Sequence, residues 1–517
     1  MPSKNTAITT NKDTRTWVQP DGVGTAFKLY ACQALTNWSR DYGETIYVKI
    51  KDPSEYGKKQ IKESIPGDLD EPTFSVSAYT AEEEDFLLGL DCPVDFQVHY
   101  GSCSSPGDKT GYKKIRHFYQ SSKTSESEDG IDFIGDEEYA GIIHTVEFSC
   151  EDIVEIVQIT VTRQNSGVTE AQGFNDIAML RDARCEGDCG AEIKACYWGV
   201  AVADSNYGVA TANVWYTQDR SATWTVCAVD PFSATDANIS TCVILTGETA
   251  PRIIVFRGNV SGIYGARASI SDDWGESWSE VDMGGEVDGN QVNAAYAYSS
   301  GLIFACGNAG YIWYSEDQGA SWTEVTGTTT GTAQELWDIH TPDGINIFAV
   351  GSSNTVIQSA DGGVSWSSIT GPSVATTLWT IQAPTEYRLL VGGNVSLAAT
   401  ECAWVSDDGG TTWTALTFTG STTALTQVRR IRLADKAERQ HFVFIHGTNN
   451  GATRRWGPGT DFRFFRTLDG GASFERATLV SNTGLNGLSV CNINRAYACG
   501  EPTSGSGVAD VQQMAPA

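Results

Sequence analysis

The chain is predicted to be all-β and in two parts, an unrepeated β-sandwich with one helix followed by a ring of repeated four-stranded sheets. Three observations predict this. An eight-residue unit reading Ser/Thr, any, Asp, any, Gly/Ser, any, Ser/Thr, aromatic recurs six times between Thr217 and Phe474. A short apolar run, usually ending in Gly, recurs seven times at roughly 41 to 55 residues, the length of a four-stranded repeat. Composition agrees: Gly 53 against Pro 15 in 517 residues, with apolar patterns of helical period scarce, favours strands and turns.

In chain order, residues 1–24 are polar and read as an arm. Short alternating runs follow at Phe27 to Cys32, Ile46 to Ile50, Thr73 to Tyr79, Val94 to Tyr100, Tyr112 to Tyr119, Ile142 to Cys150 and Ile156 to Thr162. One helix is expected over Ala81 to Leu90, with Thr80 as N-cap and Glu82, Glu83, Glu84 and Asp85 in the first turn, where acids suit the helix dipole. Seven strands and a helix make a β-sandwich over 25–185. From 190 to 510 the repeats take over. Their β-runs are Tyr207 to Ala212, Ile253 to Gly258, Ile303 to Gly307, Ile347 to Gly351, Leu389 to Gly392, Phe442 to Gly447 and Ala496 to Gly500. The seventh lacks the eight-residue unit, and its missing outer strand is expected from Gly190 to Cys196. Seven blades are therefore predicted, with six as the alternative.

In each eight-residue unit the Asp accepts hydrogen bonds from the backbone that follows it, Gly tolerates positive φ, and the aromatic fills the layer between neighbouring sheets. The aspartates are Asp219, Asp273, Asp317, Asp361, Asp408 and Asp469; the aromatics are Trp224, Trp278, Trp322, Trp366, Trp413 and Phe474. Catalytic or calcium-binding aspartates are the rival reading, but six like turns spread around a ring do not converge on one substrate. These units resemble the Asp-box of bacterial neuraminidase-type (BNR) repeats. The resemblance implies a β-propeller with the box on a hairpin turn of each blade.

A formal net charge of -29 argues against a surface that grips nucleic acid. About half of it lies in the first 190 residues, as a solvated face would. Neither a signal-peptide core nor a membrane-span length of apolar sequence is present, so an unexported protein without a membrane partner is expected. Cys185, Cys189 and Cys196 lack a fourth ligand at zinc spacing, so no metal or other cofactor is expected. No Gly-rich phosphate loop, nucleophile elbow or isolated carboxylate pair stands out, and no enzymatic activity is expected. Arg429, Arg430, Arg432, Arg454, Arg455, Arg463 and Arg466, interleaved with Trp456, Phe462, Phe464 and Phe465, give the sixth repeat a basic bias. This is a candidate contact face for an acidic partner, with Arg454, Arg455, Arg463 and Arg466 at its centre.

Asp52 to Lys58 after a strand, then the helix, then Cys92 to Cys103 leading into Pro106-Gly107-Asp108, an acidic loop over Ser125 to Glu138, and the closing Phe148 to Ile156 resemble the tail tube (major tail) proteins of long-tailed bacteriophages. The resemblance covers roughly residues 25–165 and rests on the order of segments. It implies a virion tail protein that assembles with itself, in hexameric rings stacked into a tube. Tape measure protein and viral DNA would occupy the lumen without specific binding, the lumen lined by acids such as Glu82, Glu83, Glu84 and Asp85, and genome ejection would pass through it. The propeller would point outward, toward host-surface polysaccharide or a neighbouring ring. The alternative is a free-standing glycan-binding or assembly-platform propeller, with a sialidase-type glycosidase a weaker third reading.

Overall fold

A computed structural model gives the architecture. It describes residues 14–19, 28–31, 37–39, 46–49, 62–65, 73–78, 90, 94–101, 112–131, 141–150, 152–164, 166–168, 173–180, 197–203, 213–232, 238–246, 250–258, 265–284, 291–299, 301–395, 402–418, 427–434, 441–449, 459–477, 484–500 and 510–516. The chain divides into two compact units, residues 1–158 with 186–189, and residues 159–185 with 190–517.

The first unit is built on one long strand, Tyr112–Ile131. Its first half pairs with Val94–Gly101 on one side and Asp152–Val157 on the other; its second half pairs with Gly141–Ser149. Thr14–Gln19 and Lys28–Ala31 extend the first sheet, and Thr73–Ala78 and Asn37–Ser39 the second. Phe96 and Phe118 from one sheet meet Phe74 and Phe148 from the other, with ring centroids 4.5–5.3 Å apart, and all four are fully buried. Aromatic pairs at this spacing add to the burial of their area.

Three expectations for this part change. The arm contains a strand, because Thr14–Gln19 pairs in full register with Val94–Gly101. The acidic loop begins as strand, since Ser125 to Ile131 continue the long strand; its alternating Ser and acidic residues suit a pleated edge. The run Ile156 to Thr162 is two strands: Asp152–Val157 stays in the first unit, and Ile159–Arg163 pairs with Asp510–Pro516 in the second. The helix expected over Ala81 to Leu90, with Glu82, Glu83, Glu84 and Asp85, lies outside the described residues apart from Leu90.

Among the described residues the second unit holds seven four-stranded antiparallel sheets. Six are sequential. The first five open with Phe174–Leu180, Ile239–Leu245, Val292–Ala297, Leu336–His340 and Ala375–Gln382. The sixth opens with Gln427–Leu433 and touches the fifth through one bridge, Asn394 to Gln427. The seventh runs Leu485–Asn492, Arg495–Gly500, Asp510–Pro516 and then Ile159–Arg163, so the chain's earlier segment supplies the outer strand. The closing strand expected from Gly190 to Cys196 comes instead from Ile159–Arg163, and the first sheet begins at Phe174. The seven opening strands meet one another in cyclic order, the last against the first, which is the arrangement of a β-propeller. No helix among the described residues is long and apolar enough to cross a membrane.

The closure carries a prediction. A fragment spanning 159–517 unfolds in one cooperative thermal transition by circular dichroism. One spanning 190–517, which lacks both Ile159–Arg163 and Phe174–Leu180, does not.

Candidate functional site

The eight-residue units form one network six times over. In the fourth, Asp361 Oδ1 accepts from Ser359 Oγ (2.8 Å) and from the Ser365 N–H (2.8 Å), Oδ2 accepts from Ser365 Oγ (2.5 Å), and Ser359 Oγ accepts from the Gly363 N–H (2.9 Å). The same four bonds surround Asp219, Asp273, Asp317, Asp408 and Asp469. The two residues after each Asp are left-handed, Gly362 and Gly363 at φ 74° and 96°, Arg220 and Ser221 at 62° and 69°, which is why two later boxes and the fourth carry Gly-Gly. Hydrogen bonds from the Ser365 hydroxyl and then its N–H hold the Asp361 carboxyl at about 2, and those from Thr412 do the same for Asp408. Each carboxylate is occupied by its own turn.

The aromatics pack toward the preceding sheet. Trp322 meets Phe256 edge-on at 5.5 Å, Trp413 donates from Nε1 to Thr370 O, Trp224 donates to Gln164 O, and Phe474 stacks against Phe418. Trp278 and Trp366 pack on clusters that include Val200 and Phe304 of the preceding sheets.

The axis was not anticipated from sequence. Every opening strand carries a bulge, and the bulged residues are Asn175, Ser240, Asn293, Trp337, Trp379, Arg429 and Asn486. Four reach the next opening strand directly: Asn175 donates to Ile239 O, Ser240 to Val292 O, Asn293 to Leu336 O and Asn486 to Phe174 O. Elsewhere ring contacts link neighbours, Trp337 tilted against Trp379 with centroids 5.1 Å apart and the Arg429 guanidinium 5.6 Å from the Trp379 ring centre. A bulge swings one side chain out of the pleat, and here it becomes the staple between neighbours.

The residue after each bulge belongs to a ring around the axis, and three of its members are charged. Arg430, 1% exposed, bridges Asp176 (3.3 Å) and Asp338 (3.5 Å); Arg432 also reaches Asp338 (3.1 Å). Thr241 donates to Asp176 and Thr380 to Asp338. Burial works to raise the Asp338 carboxyl, but Arg432 and Arg430 hold it below the ordinary carboxylate range. Burial, reinforced by Arg432, pushes His340 down to about 3, so it is neutral and its Nδ1 accepts from the Ala383 N–H. The axial charges thus neutralise one another across the ring.

This changes the expected basic contact face. Arg429, Arg430 and Arg466 are buried, and Arg466 is spent on Glu475, Ile493 O and Asn494. Phe464 and Phe465 are core residues. A buried guanidinium is retained where partners satisfy it, and each of these has partners inside the propeller. Arg463 is half-buried; Arg454, Arg455, Trp456 and Phe462 have no described side chains, and Cys185, Cys189 and Cys196 lie outside the described residues. No group of potential metal ligands occurs among the described residues.

What the propeller leaves open is the edge where the boxes lie. The N–H of the first left-handed box residue donates to the turn between the first two strands: Arg220 to Tyr197 O (3.0 Å), Gly362 to Ile345 O (3.0 Å), Gly409 to Tyr387 O (2.8 Å). Each of these accepting residues carries an exposed apolar side chain. The box fixes the turn, and the turn presents the side chain.

A sequence profile of the Sortilin-Vps10 family (sortilin, neurotensin receptor 3) matches residues 310–455, well under half of the chain. Among solved structures the chain is similar to YCF48 bound to D1 peptide (12% identity, TM-score 0.45, 69% of this chain and 95% of that one). It is likewise similar to YCF48 from Cyanidioschyzon merolae (16%, 0.45, 69% and 99%) and to the WD40 β-propeller domain of Doa1 (10%, 0.44, 69% and 97%). No curated protein matches it.

Two predictions follow from this geometry. Replacing Arg430 with Met leaves Asp176 a buried charge without its ion pair and Asp338 held by Arg432 alone, and costs about 3–5 kcal/mol by denaturant unfolding; adding Asp176→Asn recovers part of it. The carboxylates of Asp361 and Asp408 have folded values of about 2, depressed below the ordinary value near 4. Their contribution is therefore complete above about pH 4 and is lost as pH falls toward 2. The difference in melting temperature between the parent and Asp361→Ala should shrink over that interval.

Proposed function

We propose that this protein is a binding module, a seven-bladed β-propeller that serves as a rigid docking platform, and that it has no catalytic role. The observation that carries this is the division of labour among its polar groups. The box carboxylates serve their turns, and the axial charges serve one another. Exposed apolar side chains stand at the box edge on turns that the boxes hold. Preformed turns reduce the ordering cost of association.

Glycosidase action would need two carboxylates free to face a sugar. Assays with 4-methylumbelliferyl glycosides test this: no turnover is expected. Turnover that disappears in Asp361→Asn while the melting temperature is unchanged would overturn the reading. Binding is tested by panning a random peptide library and probing a glycan array with the immobilised full chain, where a saturable ligand is expected.

The tube-forming reading of the first unit keeps one observation in its favour, two sheets sharing a 20-residue strand around a phenylalanine core, a wall element of the kind stacked rings use. No comparison supports it. Negative-stain images of the purified chain decide between the two, with stacked hexameric rings favouring a tube and discrete particles favouring the platform.

A further inference from the structure

Three consecutive blades carry an arc of exposed apolar side chains on the box edge, one turn after another. Tyr298 is 42% exposed, Ile345 56% and Tyr387 62%, and Val364, in the box beneath Ile345, is 74% exposed. Contacts between neighbouring turns join them. Gly344 lies against Tyr298 and Leu302 so closely that a Cβ there would stand 3.0–3.3 Å from their side chains. Ile345 accepts from the Gly362 N–H, which places it over the box that bears Val364. Asn346 donates to Glu386 at 3.3 Å, and Tyr387 hydrogen-bonds Glu386.

The arc is pre-set. Asp343 accepts from the N–H groups of Ile345 (2.8 Å) and Asn346 (2.7 Å) and from Asn346 Nδ2 (2.6 Å), and Thr341 Oγ1 accepts from the Gly344 N–H. The exposed charges interleaved with the apolar groups are carboxylates: Asp343, Glu386 and Glu316, with Asp361 in the box. The one arginine of the neighbouring strand start, Arg388, is buried and turned to Asp407 and Gly470 O.

Resting on the platform reading, we propose that this arc docks a polypeptide segment in which Lys or Arg alternates with apolar side chains. Apolar residues would seat on Tyr298, Ile345 and Tyr387, and cations would meet Asp343 and Glu386 at the rim, where complementary charge sets specificity and capture rate. Two of the four apolar groups, Ile345 and Val364, are aliphatic and offer a sugar neither a stacking plane nor a hydrogen bond, so a polypeptide fits better than a polysaccharide.

The test uses the full chain and fluorescein-labelled twelve-residue peptides in three forms: Lys alternating with Leu and Tyr, the same with Glu for Lys, and the same with Ser for the apolar residues. Anisotropy should show saturable binding of the first alone, weakened tenfold or more in Ile345→Ser/Tyr387→Ala. Val226→Ser/Val229→Ser, on another part of the surface, should leave it unchanged. Both double variants are checked by melting temperature, which exposed positions should not move. Equal binding by the arc variant overturns the arc while leaving the platform standing. A glycan-array signal lost in Tyr387→Ala, with no peptide bound, overturns the polypeptide as occupant. Absence of any peptide or glycan ligand overturns the platform reading itself.

Discussion

The second unit depends on one small interaction, the capture of a turn by a carboxylate. In each box an Asp gathers two hydroxyls and a backbone N–H, and the preceding Ser or Thr gathers another N–H, closing a tight turn through two left-handed residues. The network has two downstream effects. It sets the following aromatic against the preceding sheet, so that repeats which could not bury a face alone share a continuous core. It also aims the first left-handed N–H at the adjacent turn, which in three sheets is the one presenting Tyr197, Ile345 or Tyr387.

The axis solves a different problem. Opening strands crowded around a centre leave little room, and the structure meets this with small residues and with charge. Gly487 is required there, since a Cβ would come within 2.8 Å of the Asp176 backbone. Arg430 fills the space between Asp176 and Asp338, and the bulged side chains sew neighbours together. The axial charges pair with one another and the box carboxylates with their own turns, which leaves Asp343, Glu386 and Glu316 as the exposed carboxylates beside Ile345 and Tyr387.

The repeats were legible because their signal is local: Asp361, Gly363, Ser365 and Trp366 sit within one turn and recur at blade length. Other features were not, and each for a physical reason. The alternation from Ile156 to Thr162 is the same whether a strand pairs inside its own unit or with Asp510–Pro516, some 350 residues on, so the division at Gln158 is invisible in the pattern. Arg430 reads as surface charge because its partner is distant in sequence; Asp176 lies 254 residues away. The bulged residues vary among Asn, Ser, Trp and Arg, so position and not residue type defines them. The exposure of Ile345 and Tyr387 likewise follows from turn geometry.

The central claim is that the boxes hold the turns that form the platform, and hydrogen–deuterium exchange of Asp361→Ala tests it most directly. The account predicts faster exchange over the box, residues 359–366, and over the adjoining turn, residues 341–346, with the opening strand Leu336–His340 still protected. Faster exchange confined to the box, with the turn as protected as in the parent, would contradict it.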